Sequence, residues 1–301
     1  MRRNSGEINL PDLARAWSIL LSAIRDVFAS HGFSEVATPT LVTAPIPEPH
    51  IDAVAAGNGY LRTSPEAEMK ILLTRGMERI FQIGPCFRAG EKGPLHSEEF
   101  TMLEWYRAGA GRLDLIPFVK ELISVAANEL NGTPKAKFRG AEIDFDAEWR
   151  VMTVEEAFAE FAPIPLEEAL GKDIFDQVMV ESVEPRLPRS VPVVLDTFPA
   201  SQSTLAATAE NPGFSLRWEL YLAGVEIANT YTELTSPEEH FKRLDAANAA
   251  RRAMGKPPYP PHRGFLDAVE RGIPESAGSA MGLDRLLMTL LDATDIHAVR
   301  I

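Results

Sequence analysis

The sequence predicts an α+β fold, and three observations predict it. Two pairs of runs with apolar alternation read as β-hairpins, amphipathic runs at helical spacing lie between and around them, and a glycine-punctuated strand leads into an apolar helix near the end. The 301 residues are 45% hydrophobic and 24% charged, ample for a sizeable core, and no linker-like stretch interrupts them, so one domain over residues 1–301 is expected. A net charge of -13, from 30 Lys and Arg against 43 Asp and Glu, disfavours a broad electrostatic footprint on nucleic acid while leaving room for a local basic patch. Cys86 is the single cysteine, so no internal disulfide can form, and between Pro85 and Phe87 it reads as a small apolar filler rather than a redox group. The N-terminal MRRNSGEINLPDL has no apolar segment behind its charges, and no run of 18 apolar residues occurs. A soluble, cytoplasmic protein is expected.

Each element has its own signal. Leu13, Trp17, Leu20, Leu21, Ile24, Val27 and Phe28 repeat at helical spacing, with Pro11 near the start and Gly32 beyond the end, which predicts an amphipathic helix. Residues 33–42 follow as a strand interrupted by Pro39. Thr63-Ser64-Pro65-Glu66 reads as a capping box opening a helix over 65–75, with Thr63 as cap and Glu66 reaching back. Residues 79–84 and 100–106 alternate as two strands. Their connection gathers Arg88, Glu91, Lys92, His96, Glu98 and Glu99, which on composition alone is equally a solvated hairpin tip. A helix over 113–130 is closed by Asn131-Gly132. Residues 133–190 are least informative: a weak strand over 141–145, a capped helix from Thr153 and another helix near 173–183. Residues 191–196 read as a buried strand, and 214–222 with 225–230 as a second hairpin across Ala223-Gly224. A helix over 236–255, capped by Ser236 and Glu239, ends at the proline-rich turn 257–262. Residues 276–293 supply the final strand and helix.

The chemistry concentrates in RIFQIGPCFRAGEKGPLHSEEFTMLEWYR (79–107). A strand, then Phe-Arg, a loop with an acid, a His and a return strand opened by Glu-Phe resembles motif 2 of the class II aminoacyl-tRNA synthetases. EEFTMLEWYR and the upstream RTSPEAEMK resemble the lysyl branch. The helix-strand-proline order near the start resembles motif 1, FPASQSTLA (198–206) the lysyl paralogues, GVEIANTYTEL their GxELANxxxEL pattern, and Gly282-Leu283-Asp284-Arg285 motif 3. Together these phrases resemble the elongation factor P lysine ligases, truncated lysyl-tRNA synthetase paralogues. Only about ten residues precede the first helix, so a catalytic domain without an anticodon-binding domain is expected.

The resemblance implies helices around a largely antiparallel sheet, with ATP lying across it. A planar, always charged guanidinium suits the α-phosphate, and Arg88 takes that role, while Arg285 grips the γ-phosphate or the departing pyrophosphate. The other ATP-binding positions implied are Ala89, Gly90, Glu91, His96, Ser97, Phe100 (under adenine), Glu226, Ile227 and Gly282. Glu226 and Glu233 are implied to hold Mg2+, and Ser64, Pro65, Glu66, Tyr106 and Glu233 to hold the amino acid. Ser64 to Glu66 serve equally well as a plain helix start. The implied reaction is ATP-dependent adenylation of lysine or (R)-β-lysine, with transfer to a lysine of elongation factor P rather than to tRNA, by a homodimer built on motif 1. Another protein or small-molecule amine as acceptor, or a non-catalytic amino-acid sensor, are the alternatives. The presence of Arg88, Glu226, Glu233 and Arg285 argues against the sensor. Two phrases depart from the family: Arg88-Ala89-Gly90-Glu91 replaces Arg-x-Glu, and His96-Ser97-Glu98-Glu99-Phe100 replaces His-Asn-Pro-Glu-Phe.

Overall fold

Asn9 starts the first helix. Its side-chain oxygen accepts from the Asp12 backbone N–H at 3.1 Å, so α1 spans Leu10–Ser30, longer than the apolar spacing alone predicts. The computed structural model describes residues 8–301; residues 1–7, the start of the N-terminal run MRRNSGEINLPDL, lie outside them. The main sheet has eight strands: β1 (Ser34–Glu35), β2 (Arg79–Phe87), β3 (Glu99–Ala108), β4 (Arg150–Thr153), β5 (Val193–Pro199), β6 (Phe214–Leu222), β7 (Val225–Thr232) and β8 (Ser276–Gly282). Their spatial order is β1-β2-β3-β8-β7-β6-β5-β4. The five inner pairings are antiparallel, as expected. The two outer ones, β1 with β2 and β4 with β5, are parallel, because the chain reaches each through a helical crossover.

Side chains alternate between the faces of the sheet. Phe81, Leu103, Trp105, Trp218, Leu220, Leu222, Ala277 and Met281 form an apolar face, covered by α1, α3 (Ile116–Asn131) and α7 (Leu283–Leu290). Phe28 anchors α1 there, stacked on Phe81 at 4.2 Å and edge-on to Trp105 at 5.6 Å. A second cluster around Phe158, Phe175, Val193 and Leu195 packs α4 (Val154–Phe161) and short helical turns against β5. The opposite face of the central strands, rimmed by α2 (Glu66–Leu73), α5 (Pro237–Ala253) and α6 (Arg263–Arg271), is polar and holds the site.

Several elements differ from expectation for local reasons. Residues 33–42 do not form one strand: Pro39 divides them, Ser34–Glu35 joining β2 and Leu41–Val42 pairing instead with Gly59–Leu61. The expected helix near 173–183 is irregular, α-helical over Phe175–Val178, a π-turn over Met179–Val183 and a 3-10 turn over Glu184–Arg186. Helix α6 follows the proline-rich turn unannounced. Its cap is His262, whose ring accepts from the Phe265 N–H at 3.1 Å, a residue outside the usual cap set. Cys86 is buried beside Met102 and burial pushes its thiol up to about 12, so it is an inert filler.

Candidate active site

Residues directly opposite each other in neighbouring strands point to the same face, so the register lays the site out in rows. One row runs Gln82, Glu104, Ala280, Asn229, Glu219 and the next runs Ile80, Tyr106, Gly278, Tyr231, Arg217. Small residues on the central strand keep the floor open: a Cβ on Gly278 would lie 2.3 Å from both a Glu233 carboxylate oxygen and the Tyr106 ring. Glu226 and Glu233 are an odd number of residues apart, and a regular strand would point them to opposite faces. A bulge at Ile227, where Tyr221 pairs with Glu226 and Leu220 with Ala228, returns Glu226 to the face that carries Asn229 and Tyr231.

At one end of these rows Lys70, fully buried on α2, makes ion pairs with Glu66 (2.6 Å) and Glu233 (2.5 Å). Burial works against its ammonium, yet the two carboxylates hold its pKa above the usual lysine range. Burial raises Glu233 to about 7 against the pull of Lys70. The Tyr106 hydroxyl donates to Glu104 Oε1 at 2.7 Å, and burial together with Glu66 pushes Glu104 up to about 8. Glu104 Oε2 is buried without a hydrogen-bond partner among the described residues. Two expectations are corrected here. Thr63 is not the cap of α2 and Glu66 does not reach back: the Ser64 hydroxyl accepts from the Glu66 N–H at 3.1 Å, Pro65 holds the N-cap position, and the Glu66 carboxylate is spent on Lys70. Glu233 and Glu226 cannot share one Mg2+, since seven residues of strand separate them by roughly 20 Å and Glu233 is closed onto Lys70.

At the other end, the Arg88 guanidinium lies 5.1 Å over the Phe100 ring and 3.8 Å from Glu91, and its Nε is buried without a hydrogen-bond partner among the described residues. Its loop is tied down through backbone groups: Ala89 N–H donates to Asp52 O at 2.6 Å, Gly90 N–H to Glu98 Oε1 at 2.9 Å, and Ser97 accepts from Arg300. Gly282 caps α7, which presents Arg285. That guanidinium donates to the Glu226 carboxylate (3.2 Å) and backbone carbonyl (3.0 Å), the Leu95 carbonyl (3.1 Å) and His96 Nε2 (2.9 Å). Burial and the Arg285 charge hold the His96 imidazole below its usual range, so it accepts as the neutral ring. Ile227 is buried, contributing the bulge rather than a side chain. Burial, then Glu226 and Glu219, push Glu184 up to about 7, and burial raises Glu219, whose carboxylate accepts from Tyr221 at 2.6 Å and pairs with Arg217.

The sequence reading missed Lys70, Glu104, Asn229 and Glu219. The signal for the last three was present in the two hairpins, though none marked Lys70: aligning 79–87 with 99–108 and 214–222 with 225–232 sets Glu104 beside Gln82 and Glu219 beside Asn229 on the face that carries Tyr106. Among the described residues no helix is long and apolar enough to cross a membrane.

Residues 10–301 match the family described as tRNA synthetases class II (D, K and N). Curated relatives named elongation factor P–(R)-β-lysine ligase include those of Proteus mirabilis, 35% identical over 93% of this chain and 91% of that protein, and Yersinia enterocolitica, 33% identical with the same coverage. The Vibrio vulnificus protein of that name is 33% identical over 95% of this chain and 93% of its own length. Over nearly its whole matched length, therefore, the chain belongs to the class II tRNA synthetase family, in its elongation factor P–(R)-β-lysine ligase branch.

Proposed function

We propose that this chain activates lysine or (R)-β-lysine with ATP and passes it to a lysine side chain of elongation factor P. Two buried polar atoms without hydrogen-bond partners among the described residues carry this reading, Arg88 Nε and Glu104 Oε2. A donor of fixed positive charge suits a phosphate and a substrate carboxylate. An acceptor among Glu66, Glu104 and Glu233 suits a substrate ammonium. In the first step a carboxylate oxygen bonds to the α-phosphorus while the bond to the leaving pyrophosphate breaks. Arg88 takes up charge developing at the α-phosphate, Arg285 charge on the leaving group, and Phe100 offers its ring to adenine. In the second, a free amine of the acceptor attacks the acyl carbon and AMP leaves.

The acids at the nucleotide end fit Mg2+: Glu219 and Glu226 supply hard oxygen donors, and a cation beside them favours the ionised carboxylates that burial first, and the charge of Glu226 second, disfavour at Glu219 and Glu184. Mg2+ bound by Glu219 and Glu226 would neutralise phosphate charge. The enzyme is a cytoplasmic homodimer in this reading, joined through residues 12–42, a segment on which Leu41 stands 58% exposed. Sedimentation as a monomer at low micromolar concentration counts against the dimer. A net charge of -13 disfavours tRNA as acceptor.

Mass spectrometry of elongation factor P incubated with enzyme, ATP and (R)-β-lysine tests the reading, with one modified lysine expected. Efficient charging of tRNA with no mass shift on the protein overturns it. Pyrophosphate exchange with no acceptor modified redirects it to another amine, and no exchange at all returns it to a sensor.

A further inference from the structure

The loop that holds APIPEPHIDA (44–53) belongs to none of the motifs, yet buried groups fix it against the site. Arg251, 1% exposed, donates to the backbone carbonyls of Glu48 and Ile51 and to the Asp52 carboxylate, each at 2.9 Å. Its guanidinium also lies 4.0 Å over Tyr259. Asp52 O accepts from the Ala89 N–H, so the loop is stapled beside Arg88. Glu48 lines a small cavity with Ser64, Ala67 and Glu68. That cavity sets Glu48 against the start of α2, where Ser64 and Glu66 stand, and the Asp52 staple sets the same loop against Ala89, next to Arg88. Among the described residues no hydrogen bond or ion pair engages the Glu48 carboxylate, although its own backbone is tightly held.

We infer that Glu48 anchors the substrate ammonium nearest to the reacting carboxylate and so selects for a diamino acid; this rests on the activity proposed above. The substrate carboxylate must react beside Arg88, which leaves an amine one or two carbons away within reach of a carboxylate between Arg88 and Glu66. The distal ammonium is served at the Glu104 and Glu233 end, so the two amines of a lysine isomer meet separate acids. Burial pushes Glu48 up to about 7, and a seated ammonium supplies the counter-charge that brings it down again.

Calorimetric binding of (R)-β-lysine and of 6-aminohexanoate, which keeps the carboxylate and distal amine but lacks the near one, tests this on wild type and Glu48→Gln. Glu48→Gln is expected to weaken (R)-β-lysine by about 10- to 100-fold, the range of a hydrogen bond to a charged group, and to leave 6-aminohexanoate and ATP within about twofold. Wild type should itself bind 6-aminohexanoate more weakly than (R)-β-lysine by a comparable factor. Equal losses for both ligands, or none for either, overturn the role of Glu48 alone. A wild type that binds ATP but neither amino acid overturns the proposed activity and this inference with it.

Discussion

Lys70 is the cation on which Glu66 and Glu233 close, and replacing it with Met shows what the two carboxylates cost without it. The side chain is fully buried, with Glu66 at 2.6 Å and Glu233 at 2.5 Å, so Lys70→Met keeps the volume and strands two acids in a dry environment. Breaking one side of a buried pair costs about 3–5 kcal/mol, because the surviving charge is no longer compensated. Glu233→Gln removes part of that burden, so the double variant Lys70→Met/Glu233→Gln should be less destabilised than the sum of the two singles, by about 2 kcal/mol. Urea denaturation of the four proteins at pH 8 and pH 6 measures it. Burial raises Glu233 to about 7, so the coupling should be larger at pH 8, where the carboxylate is ionised, than at pH 6, where it is increasingly neutral. Additive effects of the two substitutions at both pH values would refute the ion-pair account and leave Lys70 as an ordinary filler.

Three further outcomes are expected. Arg88→Lys should lower pyrophosphate exchange by at least about 100-fold at unchanged thermal stability, since an ammonium cannot reproduce a bidentate grip on the α-phosphate; unchanged exchange kinetics would count against its role. Glu219→Gln should raise the Mg2+ concentration for half-maximal exchange by about tenfold, whereas Glu233→Gln should raise the KM for the amino acid and leave the Mg2+ requirement alone; the opposite assignment would move the metal to Glu233. His240 is buried against Phe265, and burial and then Lys70 lower it to about 4. The unfolded state therefore binds the extra proton between about pH 6.5 and 4, so stability falls on acidification through that window. His240→Gln should abolish about 2 kcal/mol of the loss between pH 7.5 and 5, read by urea denaturation.

What was legible in the sequence followed from periodicity and from phrases of fixed spacing. The apolar runs on either side of Arg88 and of Ala223-Gly224 made the two hairpins readable, whereas the bulge at Ile227 that sets the face of Glu226 was not. Long-range pairing was not. Lys70 reads as a helix residue whose charge belongs in solvent, and only the fold brings Glu233, from a loop 163 positions later, to 2.5 Å from it. The capping box at Thr63 failed for the same reason, because a buried lysine competes for Glu66 more strongly than a backbone N–H does. Helix α6 escaped because its nine residues are short and its cap is a histidine.

The two departures from motif 2 are coupled by the fold. Inserting Gly90 before the acid moves Glu91 along the loop, and the backbone then turns through a left-handed conformation, φ 79°, that glycine adopts freely. The Gly90 N–H so exposed is taken by Glu98, the residue that stands where the family has proline and could offer no carboxylate. Gly90 and Lys92 both hold Glu98 below the usual carboxylate range, so its charge is taken up across the loop. Ser97, in place of the family's amide, accepts from Arg300, which also binds the Glu99 carbonyl, while Arg285 holds Leu95 and His96. Each departure therefore supplies a contact that the other, or the C-terminal turn, requires. The loop keeps Arg88 at its root, over Phe100 and beside Glu91, and among the described residues its Nε has no hydrogen-bond partner, so the substitutions alter how the loop is braced without engaging that nitrogen.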